Sequence, residues 1–161
     1  MIRFVSSGDA ERICAIYNHY IEHATATFEV EPVAIEDMQQ RIAAASDDRP
    51  WFVYESDDGV SGYAYASEWQ SRCAYRFSLE TTVYLSHDAV GRGVGTALYR
   101  HLIDEISAKN IHSLLAAIAL PNDASVALHE KLGFEKVGQF KEVGWKFDQW
   151  IDVGYWELIF D

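Results

Sequence analysis

Gly91, Gly93 and Gly95 alternate directly after a run of strand-forming residues and directly before a run with helical periodicity. The first run, Glu80-Thr81-Thr82-Val83-Tyr84-Leu85, is rich in β-branched and aromatic side chains. In the second, Thr96 to Lys109, apolar residues recur at the spacing of one helix face. Glycines without Cβ atoms let the chain turn tightly and aim unpaired N–H groups at one point, and the helix N-terminus adds the positive end of its dipole. An anion suits that point, where Arg92 adds a cation and Thr96 a hydroxyl. The same turn is equally compatible with a structural strand-to-helix corner. A Walker loop is excluded because no Lys-Ser or Lys-Thr follows the last glycine. A dinucleotide fingerprint is excluded because the third glycine comes too soon and the chain begins elsewhere.

Charge makes such a cradle necessary for any polyanionic ligand. The formal net charge is −12, which argues against nucleic acid or an anionic membrane as a partner, since both need concentrated cations. A chain of 161 residues, 49% of them apolar, is expected to form a single domain over residues 1–161 around one core. The opening Met1-Ile2-Arg3-Phe4-Val5 turns polar at once, with no basic stretch, long apolar run or small-residue cleavage pattern, so a cytoplasmic location is expected. Cys14 and Cys73 lie far apart and belong to no zinc, redox or disulfide spacing. They read as ordinary thiols, and no metal is expected.

The rest of the chain supplies the elements around this unit. A strand over about 2–5 precedes a helix that Ser7 or Asp9 can cap, with Ile13, Ile16, Tyr17, Tyr20 and Ile21 on one face. A short helix is expected from Ile35 to Ala45. Trp51 to Tyr54 and Gly62 to Ala66 read as strands joined by a turn at Asp57-Asp58-Gly59. After the helix from Thr96, the apolar run Ser113 to Ile118 reads as a buried strand. A break at Pro121 follows, then a helix from about Asp123 to Leu132 that stops at Gly133. Strands are expected again around Phe134 to Val143 and Ile151 to Phe160.

The loop Val90-Gly91-Arg92-Gly93-Val94-Gly95 resembles the acyl-CoA loop of the GNAT superfamily of N-acetyltransferases, Gln/Arg-x-x-Gly-x-Gly/Ala between the fourth strand and the third helix. Val90 departs from the pattern and removes one side-chain contribution, whereas the pyrophosphate in that superfamily is held largely by backbone amides. Leu120 to Phe134 resembles the family's Asn-containing segment and following helix. Within the superfamily the chain resembles phosphinothricin acetyltransferases and their bacterial relatives, through Tyr17 to Ile21, Phe28, Tyr63 to Ala66, Arg72 with Tyr75, Glu80 to Tyr84, Gly144 to Phe147 and Trp150 to Gly154. The resemblance spans nearly the whole chain. It implies an α/β (α+β) fold with a central, mostly antiparallel, splayed mixed sheet and flanking helices. It also implies acetyl-CoA as co-substrate, a small amino-acid-like amine as acceptor, and a homodimer.

Site roles follow from the resemblance and from the chemistry of acetyl transfer, which requires a neutral amine, a polarised carbonyl and a proton for the departing thiolate. Glu80 corresponds to the family's general base, against the alternative of a strand-edge carboxylate. His129 stands where related enzymes carry a proton donor for the thiolate; imidazole could also work as a base, or be a helix histidine packed at the core edge. Main-chain N–H groups of Val83, Tyr84 and Leu85 are expected to meet the acetyl and pantetheine groups. Gly91, Arg92, Gly93, Val94, Gly95 and Thr96 are expected to hold the pyrophosphate. Asn122, with Ser125 in the same segment, would bind the pantetheine arm, and Asn122 can at once cap the helix. Phe28, Tyr65, Arg72 and Tyr75 are the substrate-binding residues by resemblance, Arg72 taking the acid group. Phe28 and Tyr65 could be core aromatics, and Arg72 a solvated loop charge. Gln70 stands where a herbicide-detoxifying relative has Lys, which removes a charge near the expected phosphinate. Two other readings remain: a GNAT enzyme for a polyamine or protein N-terminus, and a non-catalytic acyl-CoA sensor.

Overall fold

The computed structural model describes residues 1–161. Strand β1 (Ile2–Phe4) is followed by helices α1 (Ala10–His23) and α2 (Ile35–Ala43), and then by strands β2 (Trp51–Ser56), β3 (Gly59–Glu68) and β4 (Ser78–Leu85). Helix α3 (Val94–Ser107), strand β5 (Ser113–Leu120), helix α4 (Asp123–Lys131) and the hairpin β6 (Glu135–Lys146) and β7 (Gln149–Ile159) complete the chain. One seven-stranded sheet runs in the order β1-β2-β3-β4-β5-β7-β6. Every neighbouring pair is antiparallel except β4 with β5. This is the mixed α/β arrangement expected from the sequence.

Alternation along the strands divides the core between the two faces of the sheet. Trp51, Val53 and Tyr63 pack with Ile13, Ile16, Tyr17, Ile21, Met38 and Ile42 under α1 and α2. Phe52, Ala64 and Ala66 point to the other face, where Leu98, Tyr99, Leu102 and Ile106 of α3 cover them. Of the largest side chains, Trp156, Tyr63 and Tyr99 are all below 2% exposure, so both layers are closed around aromatic anchors.

The parallel pair decides where a ligand can enter. β4 and β5 pair only from Ser78 with Ser113 to Glu80 with Leu115. Beyond that, Thr81 to Leu85 pairs with β3 alone and Ala116 to Leu120 with β7 alone. The sheet therefore splits, and one edge of each strand lacks a strand partner inside the protein.

Several boundaries differ from the sequence expectation. Residues 7–9 form a 3-10 turn, and Asp9 stands at the N-cap of α1 without a side-chain hydrogen bond to the helix. The reason is Asp9, whose carboxylate accepts from the Ser6 N–H at 2.7 Å and pairs with the Arg3 guanidinium at 2.8 Å. Helix α3 starts at Val94, two residues before Thr96, because Gly93 takes a left-handed conformation (φ 80) that lets the helix begin at once. The last two strands meet in a turn at Phe147-Asp148, both with positive φ (52 and 56), a mirror-type hairpin turn that lacks the glycine usually signalling it.

Candidate active site

The split between β4 and β5 opens into a cleft of about 1060 Å³. Its walls bring together residues far apart in sequence: Glu80 to Leu85 from β4, Gly91, Gly93, Gly95 and Thr96 from the glycine turn, and Asn122, Ser125 and His129 from α4. Phe28 and Tyr65 close another side. The structure also adds Lys131 and Tyr155, which were not among the expected site residues.

The glycines serve two purposes. Gly91 and Gly93 have φ values of 78 and 80, and a Cβ at either would meet nothing within 4 Å, so they are needed for their dihedral angles. At Gly95 an added Cβ would lie 3.1 Å from Leu85 Cδ1, so this glycine lets the first turn of α3 approach the end of β4. Because the turn runs straight into a 14-residue helix, its free N–H groups and the helix dipole act on the same place.

Not every expected residue reaches the cleft. Arg92 is exposed and lies outside its lining, with its N–H donating to the Ala89 carbonyl at 3.4 Å, and the side chain of Val94 is buried in the protein, so Val94 can contribute only main chain to an anion site. Arg72 and Tyr75 are exposed on the 3-10 turn between β3 and β4, also outside the lining. Arg72 caps that turn, its carbonyl accepting from Tyr75 N–H at 2.9 Å.

Glu80 is the last residue of the β4–β5 pairing, at the mouth of the split. Burial raises its carboxyl pKa above the ordinary 4.5, and no ion pair involves it. A carboxylate that is desolvated, unpartnered and open to a cleft has the properties of a proton acceptor for a neighbouring ammonium.

His129 is 4% exposed and held at both nitrogens. Nδ1 lies 2.7 Å from the Ser125 carbonyl oxygen, which can only accept, so Nδ1 carries the proton. Nε2 then accepts from the Tyr99 hydroxyl at 3.0 Å, and the Tyr99 oxygen accepts from Thr81 Oγ1 at 2.6 Å. Burial lowers the imidazole pKa and favours the neutral ring that this arrangement needs. A hydrogen-bonded chain thus runs from β4 through α3 to α4. At a core position of α3 the Tyr99 ring looks like packing in the sequence; a hydroxyl on an otherwise aliphatic buried face is its one signal.

Asn122 caps α4, its Oδ1 accepting from Ser125 N–H at 3.1 Å. It also lines the cleft, so cap and ligand contact are compatible at this residue.

A family model described as an acetyltransferase (GNAT) domain matches residues 2–154. The phosphinothricin N-acetyltransferase of Streptomyces viridochromogenes is 40% identical over 160 residues, covering 99% of this chain and 87% of the relative. The L-methionine sulfoximine/L-methionine sulfone acetyltransferase of Pseudomonas paraeruginosa is 36% identical over 162 residues, covering 99% of this chain and 94% of the relative. Among solved structures, yncA from Salmonella typhimurium, determined with its cofactor acetyl-CoA, superposes with a TM-score of 0.97 at 33% identity, covering 100% of this chain and 94% of the other.

Proposed function

Because this chain belongs to the GNAT acetyltransferase family, we propose that it transfers the acetyl group of acetyl-CoA to the amino group of an amino-acid analogue of the methionine sulfoximine, methionine sulfone or phosphinothricin type. The observation that carries this reading is Glu80, a desolvated carboxylate at the point where β4 and β5 part, facing a cleft that ends in the glycine turn.

Acetyl-CoA supplies an activated thioester. Main-chain N–H groups of Gly91 to Thr96 and the α3 dipole hold the pyrophosphate, and the unpaired edge of Val83 to Leu85 donates to the pantetheine and to the carbonyl oxygen as it gains charge. Asn122 and Ser125 hold the arm from the opposite wall. Glu80, directly or through water, takes a proton from the acceptor's ammonium and frees its lone pair for attack on the thioester carbon. As the adduct collapses, the C–S bond breaks and the nitrogen sheds its second proton, which passes to the departing thiolate; His129, neutral and lining the same cleft, is the residue we assign to relay it, taking it up at Nε2 when the Tyr99 hydroxyl turns away and releasing it to sulfur. Transfer is direct: Cys14 is buried with its thiol on the Val33 carbonyl, and Cys73 is exposed on the 3-10 turn, so neither is offered to the cleft.

Phe28 and Tyr65 form the acceptor side of the cleft. The reading extends to assembly and location. Trp145 and Trp150, paired across the β6–β7 hairpin, are 54% and 60% exposed, an apolar pair that a second copy would cover, whereas Trp156 is buried in the core and Tyr155 lines the cleft. The two unpaired thiols suit a reducing cytoplasm, and no helix is long and apolar enough to cross a membrane.

Thiol release from acetyl-CoA, followed with L-methionine sulfone, L-methionine sulfoximine, L-phosphinothricin, spermidine and an alanyl peptide, tests the function. Turnover with the sulfur-containing amino acids is expected. Turnover confined to spermidine or the peptide would overturn the acceptor class. Tight acetyl-CoA binding with no turnover on any amine would make the protein a sensor. Light scattering should give twice the 18.3 kDa chain mass; a monomer at micromolar concentration refutes the dimer.

A further inference from the structure

Gly144 and Lys146 lie on the inner face of β6, away from every group assigned to the chemistry. Lys146 is 3% exposed, yet no carboxylate pairs with it. Its Nζ instead donates to the carbonyl oxygens of Ala24 and Thr27, each at 2.8 Å. Ala24 closes α1, so the ammonium also meets the negative end of that helix's dipole. Two residues earlier on the same face, Gly144 supports the ring of Phe28: a Cβ there would come within 2.3 Å of Cε2 and 2.4 Å of Cζ.

These contacts converge on one segment. Residues 24–34 join α1 to α2 without regular structure, and Thr25, Ala26 and Phe28 from this stretch line the cleft. From the helix side Tyr17 bonds Thr27 Oγ1 at 2.7 Å, Arg41 pairs with Glu29 and Asn18 accepts from Val33 N–H at 2.8 Å, which leaves the Ala24, Ala26 and Thr27 carbonyls and the Phe28 ring to other partners. Tyr84 donates to the Ala26 carbonyl at 3.2 Å from the β4 side, and Lys146 and Gly144 act from the β6 side. A buried lysine without a counter-charge is a costly way to fill space, and an apolar side chain would pack there with less desolvation. What the ammonium adds is direction, since its donors fix two carbonyls of one irregular turn at once.

We propose that Lys146 and Gly144 are positioning residues for the acceptor amine, holding the 24–28 main chain and the Phe28 ring as one wall of the acceptor subsite. The proposal rests on Phe28 and Tyr65 marking the acceptor side of the cleft. The acetyl-CoA half, built from β4, the glycine turn and α4, does not depend on this latch.

Steady-state kinetics with L-methionine sulfone at saturating acetyl-CoA, calorimetric acetyl-CoA binding without acceptor, and hydrogen exchange of the 24–28 amides test it together. Lys146→Met should raise KM for the sulfone at least about tenfold, leave the acetyl-CoA Kd within about twofold, and speed exchange at 24–28 but not in α3. Gly144→Ala should raise the same KM in the presence of Phe28 and have no further effect in a Phe28→Ala background, because the three atoms nearest to a methyl group there all belong to that ring. An unchanged KM in Lys146→Met, an equal loss for both ligands, or the same effect of Gly144→Ala in both backgrounds overturns the proposal. If Lys146→Met does not fold, the Gly144 and Phe28 cycle decides. If the wild-type protein does not turn over the sulfone, the acceptor reading fails, and exchange at 24–28 still decides the latch.

Discussion

Replacing Glu80 by Gln should move activity and stability in opposite directions. Burial alone raises the Glu80 pKa above its ordinary 4.5, with no ion pair or hydrogen bond opposing it. A carboxyl whose folded pKa exceeds its unfolded value disfavours the fold once ionised. Near or below the ordinary value both states are protonated and nothing is lost; the cost grows as pH rises to the folded pKa and stays constant above it. Each unit of difference corresponds to about 1.4 kcal/mol. Gln keeps the shape without the charge, and its amide faces the open cleft, so no donor is stranded. Above neutrality the variant should be at least as stable as the parent, and the gap should close as pH falls toward the ordinary carboxyl range. Turnover should fall about 10²–10⁴-fold, the usual worth of a positioned base, or ~3–5 kcal/mol in the barrier. Thiol release measured across pH, acetyl-CoA binding by calorimetry and thermal denaturation at two pH values read all three consequences. A variant that turns over within about threefold of the parent, or one that melts several degrees lower above neutrality, refutes the argument: the carboxylate would then be spectator or scaffold.

Three further outcomes follow from the same geometry. Tyr99→Phe removes the donor to His129 Nε2 inside the core, which should cost about 1–3 kcal/mol, seen as a fall in Tm of ~2–4 °C per kcal/mol, and shift the pH profile of kcat; an unchanged profile would confine the chain of hydrogen bonds to a structural role. Gly93→Ala forces a methyl-bearing residue into a left-handed conformation at a cost of about 1–2 kcal/mol. It should weaken acetyl-CoA about tenfold by calorimetry, with KM for the acceptor unmoved. Asp9, held by the Arg3 guanidinium, has its pKa lowered from 3.8 to about 2. Its stabilising contribution is full above the ordinary value and disappears as pH falls through about 2, so denaturation midpoints of the parent and of Asp9→Asn should converge on acidification.

The glycine turn was legible because its two requirements, left-handed angles at Gly91 and Gly93 and close approach at Gly95, are both written in residue type. The elements around it were legible for a similar reason, since helix and strand faces show their periods directly. Contacts that depend on long-range folding were harder to see. Nothing local marks Tyr99 as the partner of both Thr81 and His129, which lie 18 and 30 residues away. Lys146 lies past the expected strand end at Val143, in the stretch Gly144 to Phe147, and only the folded hairpin brings it to Ala24 and Thr27. The turn at Phe147-Asp148 was missed because neither residue is glycine. Arg72 and Tyr75, assigned to the substrate through a resemblance of sequence, stand on an exposed turn outside the cleft.

The parting of β4 and β5 also bears on how this protein resists unfolding. Three residue pairs, Ser78–Ser113 to Glu80–Leu115, are all that join β1–β4 to β5–β7 within the sheet. The two halves share α3 and its core but little backbone continuity, so a molecule lying in the split acts as mortar between two courses of masonry. Acetyl-CoA bonded to both walls should therefore slow hydrogen exchange well beyond the residues it touches, on either side of the seam and most at its open end.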